Sequence, residues 1–513
     1  MPVLTAVATD EEGPVTHPVV IVGAGTAGIA FAVEFCRHSR SQLVMIEQGG
    51  EAVGSSSPRF LDAVRADNLW PGLVVQCVDN GPVVPYLQAR VLGGGSAING
   101  MLEGTDTAHF HRPLLAGLLG HPEPVSTVGG ALVALNGRRW RRNVVDGRRV
   151  DGTSALAEMV ESGRLELVRG EAESVVIREG RAVGVVVDGR HIAASSVVMC
   201  AGAVGTPLVL GRSGLPEELR SLLGRNLLDH PSVTFTVHRR APAADDVPDV
   251  EFYLDTEDLP WKAAAGFGYH DAALPPETVI TGYERASADE PGIGLLSGIL
   301  LTPLSSGFME LDGGPLLRPR MLSHPIDANL MVSLVRDMIR VALRPEIAAV
   351  ATHVTVDSAG TRVTEIAGLP GELLMEWVRS HVAPLSHAAG TCSALLAGPA
   401  RPARGGTGAV AATALTVSQV ENTLAQRRIQ QRWREINRAE SVRNGRYSDP
   451  DGYHATSGSF EVRGVSGLFV ADSSGFGALP ADMLNAHVAR WAAGAAVAVA
   501  MGAGLAGGRG RTA

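Results

Sequence analysis

This chain of 513 residues is almost without lysine: Lys262 is the single one, and nearly all of its positive charge is arginine. With 61 glycines and abundant alanine, that bias reads as codon usage and carries little chemistry. Cysteine is nearly as scarce. Cys36, Cys77, Cys200 and Cys392 are scattered without a Cys-x-x-Cys pair or metal-ligand spacing. That excludes a structural zinc and fits free thiols in a reducing compartment. An excess of positive charge is missing as well, and a formal net charge of −9 argues against a nucleic-acid partner. Residues 1–17 carry acids where a secretion signal needs a basic start and an apolar core, so a cytoplasmic protein is expected. The uncharged stretch from Trp491 to Gly507 is mostly Ala and Gly and barely long enough to span a bilayer; a buried helix is expected there.

What remains is the composition of a soluble globular protein, 45% hydrophobic and 19% charged, and the length predicts more than one domain. Its most informative segment lies near the start. Val19-Val20-Ile21-Val22 runs into Gly23-Ala24-Gly25-Thr26-Ala27-Gly28, helical spacing follows to Arg37, and Glu47 closes the next apolar run, Leu43 to Ile46. This is the strand, glycine turn, helix, strand and acid of a dinucleotide-binding βαβ unit. Gly23 permits the tight turn, Gly25 lets the backbone approach a pyrophosphate, and Gly28 lets the helix pack on the strand. The helix N-terminus offers N–H groups to phosphates, and Glu47 would hold ribose hydroxyls.

A second glycine-rich turn, within Tyr86 to Met101, has no strand of its own behind it. Runs at 164–168 and 174–177 alternate like strands, 180–189 predicts a β-meander, and Ser196 to Gly202 is an apolar strand ending in Ala-Gly. From Pro231 to about Val382 the glycine turns cease, and short strand-like runs surround one amphipathic helix, Asp327 to Leu343; this predicts a separate lobe. Gly398 to Gly408 has the composition of a flexible surface segment. Ser418 and Glu421 form a capping box for a helix with an apolar stripe through Trp433 and an opposite face of five arginines. That face is either solvated or a docking surface for an acidic or phosphorylated partner. Finally, Gly467 to Asp472 is a buried strand ending in an acid, followed by a Gly/Pro turn and by Asn485, Ala486 and His487 opening an Ala-rich helix.

Taken in order, these segments resemble the glucose-methanol-choline (GMC) family of flavin oxidoreductases over most of the chain. The matching stretches are Gly23 to Glu47, Leu92 to Gly100, Cys200 to Pro207 with Ser213-Gly214, and Gly224 to Pro231. Ser306 to Leu311, His387-Ala388-Ala389-Gly390-Thr391-Cys392 and Gly467 to Asp472 complete the set. The resemblance implies an α/β fold, α+β overall: a Rossmann-like FAD-binding domain and a second, substrate-binding domain built on an antiparallel sheet. On this chain the boundaries are expected at 1–231 for the first part of the FAD domain and 232–386 for the substrate domain. Residues 387–513 would then carry the catalytic motif, an atypical insertion at about 395–445, and the completion of the FAD domain. Cofactor contacts are expected at Gly23, Gly25, Thr26, Ala27, Gly28, Glu47, Gly94, Gly95, Ser96, Asn99, Gly100, Ala172, Ala201, Gly202 and Asp472. Members with covalent flavin have a histidine before the signature asparagine. Here Ile98 precedes Asn99, so non-covalent FAD is expected.

The family's catalytic pair falls on His387 and on Asn485, with His487 competing for the second place and His454 as rival to the first. A histidine with an ordinary pKa near 6.5 suits the proton removal that must accompany hydride loss from an alcohol. The implied substrate is a small or medium alcohol. The electron acceptor stays open between oxygen, a quinone or protein, and, for a member resembling the mycofactocin-associated branch, a peptide-derived redox cofactor. A hydroxynitrile-lyase-like enzyme and a flavoprotein that has lost catalysis and serves as a docking module are the alternatives. The chain departs from the family in two places: 98 positions separate His387 from Asn485, roughly twice the usual spacing, and His111 to Asn143 is short.

Overall fold

The computed structural model describes residues 17–57, 60–103, 127–135, 138–139, 141–240, 250–255, 278–285, 292–396, 460–480 and 483–508. The elements that position the site are β1 (Val19–Val22), α1 (Thr26–His38), β2 (Leu43–Glu47), α2 (Gly95–Ile98) and β3 (Leu165–Arg169). They continue with β4 (Ser196–Met199), α3 (Gly202–Gly211), α4 (Pro325–Ala342), β5 (Leu468–Val470) and α5 (Leu484–Gly508).

Every residue of β1 and β2 is buried, the mark of strands covered on both faces. They form a five-stranded sheet in the order β3-β2-β1-β4-β5, all neighbours parallel, with Val19 opposite Leu43 on one side and Ser196 on the other. The fifth strand arrives from far along the chain, Val197 pairing with Leu468, so the C-terminal segment completes the sheet begun at the N-terminus. On one face α5 lies against α1. Ala492, Ala495 and Ala496 are fully buried there with Phe31 and Phe35 in one cluster, and small side chains let the two backbones approach. The expected buried helix is present. Among the described residues no helix is long and apolar enough to cross a membrane.

The meander is also present, as Ala172–Arg178, Arg181–Val187 and Arg190–Ala193. Its two-residue turns, Glu179-Gly180 and Asp188-Gly189, all have positive φ, the backbone whose twist matches a tight antiparallel hairpin.

The second large sheet has seven strands and is antiparallel. Pro231–Arg239 is central, flanked by Ile293–Leu300 on one side and by Ala351–Thr355 and Ala383–Pro384 on the other. Helix α4 begins two residues before the expected start, with Pro325 in its first turn and the His324 side chain accepting from the Ile326 N–H. It packs so closely on the sheet that a Cβ on Gly298 would fall 2.4 Å from the Met338 sulfur. A second helix, Gly371–His381, was not foreseen; its only buried residues are Leu374 and Val378, too few to show a period. A third sheet joins Val74–Gln76 and Val83–Pro85 to Gly307–Glu310 and Leu316–Arg318, so early and late parts of the chain share one core.

Candidate active site

The sheet order reverses at β1, and the carboxyl ends of β1 and β4 open into a cavity of about 1210 Å³. Gly23 leaves β1 with φ +106°, and a Cβ there would lie 2.4 Å from the Cys200 carbonyl oxygen at the end of β4. A Cβ on Gly28 would lie 2.0 Å from the Gly23 carbonyl oxygen. The second glycine turn docks on the first. The Gly93 N–H donates to the Ala24 carbonyl at 2.9 Å, and a Cβ on Gly94 would fall 2.7 Å from the Gly25 Cα. Gly95 alone of these has open space at its Cβ position. Helix α1 starts beyond Gly25 without a side-chain cap, and Gly25, Thr26 and Ala27 line the cavity, an arrangement that receives anions.

Two buried carboxylates mark the strand ends. Glu47 accepts from the Ala24 N–H at 2.8 Å through one oxygen and from the Gly49 N–H at 2.6 Å through the other. Asp472 accepts from the Gly202 N–H (2.8 Å), the Thr206 hydroxyl (2.6 Å) and the Ser474 N–H (2.9 Å), which places a negative charge at the start of α3. Burial pushes both carboxyls up in pKa, and the backbone donors oppose it.

Of the expected cofactor contacts, all but two line the cavity. Gly28 stands behind its wall, where the lack of a side chain makes room for the Gly23 carbonyl instead of a ligand. Ser96 is buried too, its hydroxyl donating to the carbonyls of Gly93 (2.7 Å) and Asp151 (2.9 Å), so it braces the second turn. Asn99 reaches the cavity while its side-chain oxygen accepts from Arg149 at 2.8 Å and from the Met101 N–H at 3.1 Å. Buried Arg149 also donates to the Asn99 carbonyl at 2.5 Å, closing the C-terminal end of α2.

His387 lies on the cavity wall beyond these turns. Ser386 before it has φ +63°, a conformation that costs a non-glycine residue about 1–3 kcal/mol and persists only when its neighbours hold it. Asp229 supplies that hold: it accepts from the backbone N–H of His387 (2.9 Å) and of His230 (2.7 Å). Its other oxygen accepts from the Tyr86 hydroxyl at 2.5 Å, and the Tyr86 oxygen accepts from the Ala388 N–H at 3.0 Å. Asp229 therefore meets only donors, although burial raises its pKa to about 6.

The His387 ring meets a second histidine. Its Nδ1 lies 2.9 Å from Nδ1 of His230, ring centroids 5.1 Å apart and nearly perpendicular. Burial lowers the His387 pKa to about 4 and puts His230 well below the ordinary value, with His387 and His487 adding like-charge repulsion to His230. The His387 imidazole is thus neutral at physiological pH. Asn485, in the first turn of α5, lines the same cavity and accepts from the Thr26 hydroxyl at 3.1 Å, tying the start of α5 to that of α1. His487 is buried and does not line the cavity. Tyr86, Asp229 and His230 were not singled out by sequence, although the doublet Asp229-His230 ahead of an apolar strand was its visible trace.

Residues 140–232 match the family model described as GMC oxidoreductase. That stretch of the chain is similar to this family. Two uncharacterised GMC-type oxidoreductases are similar to it. One, from Sinorhizobium fredii, is 24% identical over 299 residues, covering 48% of this chain and 58% of that protein. The other, from Rhodococcus erythropolis, is 28% identical over 276 residues, covering 49% and 50%. The match thus spans about half the length of these relatives. Among solved structures, pyridoxine 4-oxidase from Mesorbium loti superposes with a TM-score of 0.65 at 18% identity, over 94% of this chain and 99% of that one. A fungal aryl-alcohol oxidase gives 0.63 at 16% identity, over 95% and 99%. Formate oxidase from Aspergillus oryzae gives 0.64 at 15%, over 96% and 99%. These likenesses show the fold.

In this chain the wall opposite the glycine turns is the inner face of the antiparallel sheet. Ser232, Thr234, Thr281 and Ser297 present hydroxyls there among Ile293, Leu295 and Ile299, and the Thr234 and Ser297 hydroxyls bond each other at 2.8 Å. No described residue of these strands places a charge on that wall. The Gly398 to Gly408 segment, the helix expected from Ser418, the insertion at 395–445 beyond its first two residues, His454, and most of His111 to Asn143 lie outside the described residues.

Proposed function

We propose that this chain is an FAD-dependent oxidoreductase that oxidises the CH–OH group of a small neutral alcohol, with His387 as general base. The observation that carries it is a neutral imidazole, fixed by a buried network, in one continuous cavity with a glycine cradle built for a dinucleotide.

FAD fits the residues present. The backbones of Gly25, Thr26, Gly94 and Gly95 would receive its pyrophosphate, and at Gly94 a side chain is excluded by contact with Gly25 of the first turn. Each Glu47 oxygen already accepts one N–H and keeps a second lone pair for a ribose hydroxyl. Ile98, on the cavity wall where covalent members carry histidine, has no nucleophilic atom, so the cofactor is held without a covalent bond. When bound, FAD would supply the acceptor for the hydride, which carries both electrons.

His387 takes the hydroxyl proton of the alcohol as the C–H bond gives up its hydride, so that the carbonyl forms without a free alkoxide. A resting pKa of about 4 keeps the ring unprotonated and ready. Asn485 holds the same substrate oxygen and orients the C–H. The hydroxyl-bearing, uncharged sheet wall receives the rest of a neutral substrate.

The test is the visible spectrum of the purified protein under anaerobic conditions, before and after a panel of primary and secondary alcohols. Bleaching of oxidised flavin by one class supports alcohol oxidation and names its type. A yellow protein bleached by none would overturn it in favour of a lyase or a silent relative. In the same assay Asn485→Ala is expected to slow reduction by about ten- to a hundredfold. His487→Ala, removing a buried ring outside the cavity, is expected to act first on thermal stability. The opposite pattern would transfer the second role to His487.

A further inference from the structure

We propose that the antiparallel sheet carries a specificity row of hydroxyls, Thr234, Ser297 and Thr281, which selects an alcohol bearing a second, uncharged oxygen about five carbons from its CH–OH group. This rests on the reading of the cavity as an alcohol site with His387 at its reacting end.

The row is fixed by strand register. Thr234 on Pro231–Arg239 stands directly opposite Ser297 on Ile293–Leu300, and Ser297 directly opposite Thr281 on Thr278–Arg285. Adjacent strands thus present hydroxyl residues at one level, and all of them line the cavity. The levels on either side differ. Toward His387, Ile299 joins Leu102, Met483 and the partly buried Leu385 in one apolar cluster whose members also line the cavity. Ser232, opposite Ile299, donates its hydroxyl to the Ala383 carbonyl at 3.1 Å and so offers that level no donor. On the far side of the row, Leu295 and Ile293 continue the wall along the strand of Ser297. From the base outward the cavity therefore runs from an apolar collar to the hydroxyl row to an apolar end.

The chemistry of the row is that of a neutral receptor. Thr234 and Ser297 bond each other at 2.8 Å, which uses one of their two O–H protons and leaves the other, with spare lone pairs, for a ligand. Such a pair suits an ether, hydroxyl or carbonyl oxygen and gives a full charge no counter-ion. Strand propensity favours threonine, valine or isoleucine alike, and gives no reason for a serine between two threonines. Spacing then sets the ligand. Thr234 lies four residues beyond His230, whose ring touches that of His387 at 2.9 Å. Those residues of strand span about 13 Å, and a hydrogen bond of about 3 Å at each end leaves about 7 Å between the two ligand oxygens. An extended chain of about five methylene groups covers that distance, and the collar is lined to receive it.

The test compares two isomers of equal size on the FAD-loaded protein, ω-methoxypentanol and ω-propoxypropanol, which differ in where the ether oxygen lies. In anaerobic flavin reduction kcat/KM is expected to favour ω-methoxypentanol by about three- to tenfold, the worth of one neutral hydrogen bond. No preference in the unsubstituted protein overturns the proposal, and that reading needs no variant to fold. The double substitution Thr234→Val with Ser297→Ala is expected to abolish the preference, and Thr234→Ser, which keeps a hydroxyl at that level, to retain it. A preference that survives the double substitution, or that Thr234→Ser loses as fully, would leave the row a packing role and overturn the proposal. If no alcohol reduces the flavin, the oxidation reading fails and the row is judged by binding. The Kd values of the same isomers, read from the perturbed flavin absorbance, should then show the same ratio and lose it in the double variant, whereas equal Kd values overturn the row as well. Alcohol oxidation without preference would keep the function and sink the row.

Discussion

His387→Asn is expected to slow anaerobic flavin reduction by an alcohol by about 10²–10⁴-fold while leaving the protein yellow, because a positioned general base is worth that much. The substitution removes Nε2, the nitrogen that would take the hydroxyl proton. It keeps the backbone N–H that donates to Asp229, so the turn through Ser386 is retained. Stopped-flow absorbance at the flavin band separates the two effects, since the spectrum reports occupancy and the transient reports chemistry. The pH profile of the unsubstituted protein adds a second criterion. A base works when neutral, so the rate is full above its pKa and is lost as pH falls through it. With His387 lowered to about 4, the acid limb of kcat/KM is expected far below the ordinary histidine value of about 6.5. Rapid reduction in His387→Asn would remove this residue from the mechanism, and an acid limb at 6.5 would mean that the base is a solvated histidine elsewhere.

The parts of this site legible in the sequence are those whose physics is local. Strand β1, its glycine turn, α1 and Glu47 lie within 29 consecutive residues, and each is forced by its neighbours in the chain. The buried strand before Asp472 and the helix opened by Asn485 were legible for the same reason. What the sequence concealed was contact across distance. The Nδ1 pair joins residues 157 positions apart, and the bond from Thr26 to Asn485 spans 459. The second glycine turn could be read as a turn, but nothing local says that Gly94 rests on Gly25 or that Ser96 faces inward to two carbonyls. Val83–Pro85 was missed as a strand because its three residues are all exposed, which leaves no alternation to detect.

The second large effect is expected at the glycine crossing, and it separates two kinds of glycine. In Gly23→Ala the methyl carbon would sit 2.4 Å from the Cys200 carbonyl oxygen, on a backbone with φ +106° that disfavours any side chain. Neither partner can retreat easily. The Gly23 N–H is bonded to the Ile46 carbonyl at 2.8 Å and the Cys200 N–H to the Val22 carbonyl at 2.8 Å, so movement breaks the sheet ladder on one side or the other. Overpacking at about 1–3 kcal/mol and backbone strain of similar size add to a sizeable part of a domain's total stability of about 5–15 kcal/mol. Gly28→Ala, with its methyl 2.0 Å from the Gly23 oxygen, is expected to act alike. Gly95→Ala is the contrast: its methyl meets no protein atom within 4 Å and points into space that the cavity provides. Its stability is expected within about 1 kcal/mol of the unsubstituted chain, since added rigidity of the unfolded state offsets small losses. Its effect should fall on cofactor retention. Melting temperature with and without added FAD, together with the flavin-to-protein ratio after purification, measures both quantities. Gly23→Ala should lower both and be only partly restored by FAD, whereas Gly95→Ala should lower the ratio alone. A fully yellow and stable Gly23→Ala protein would show that the crossing of the two turns is not what holds the cradle. Equal destabilisation by Gly95→Ala would show that the space beside α2 belongs to the fold and not to a ligand.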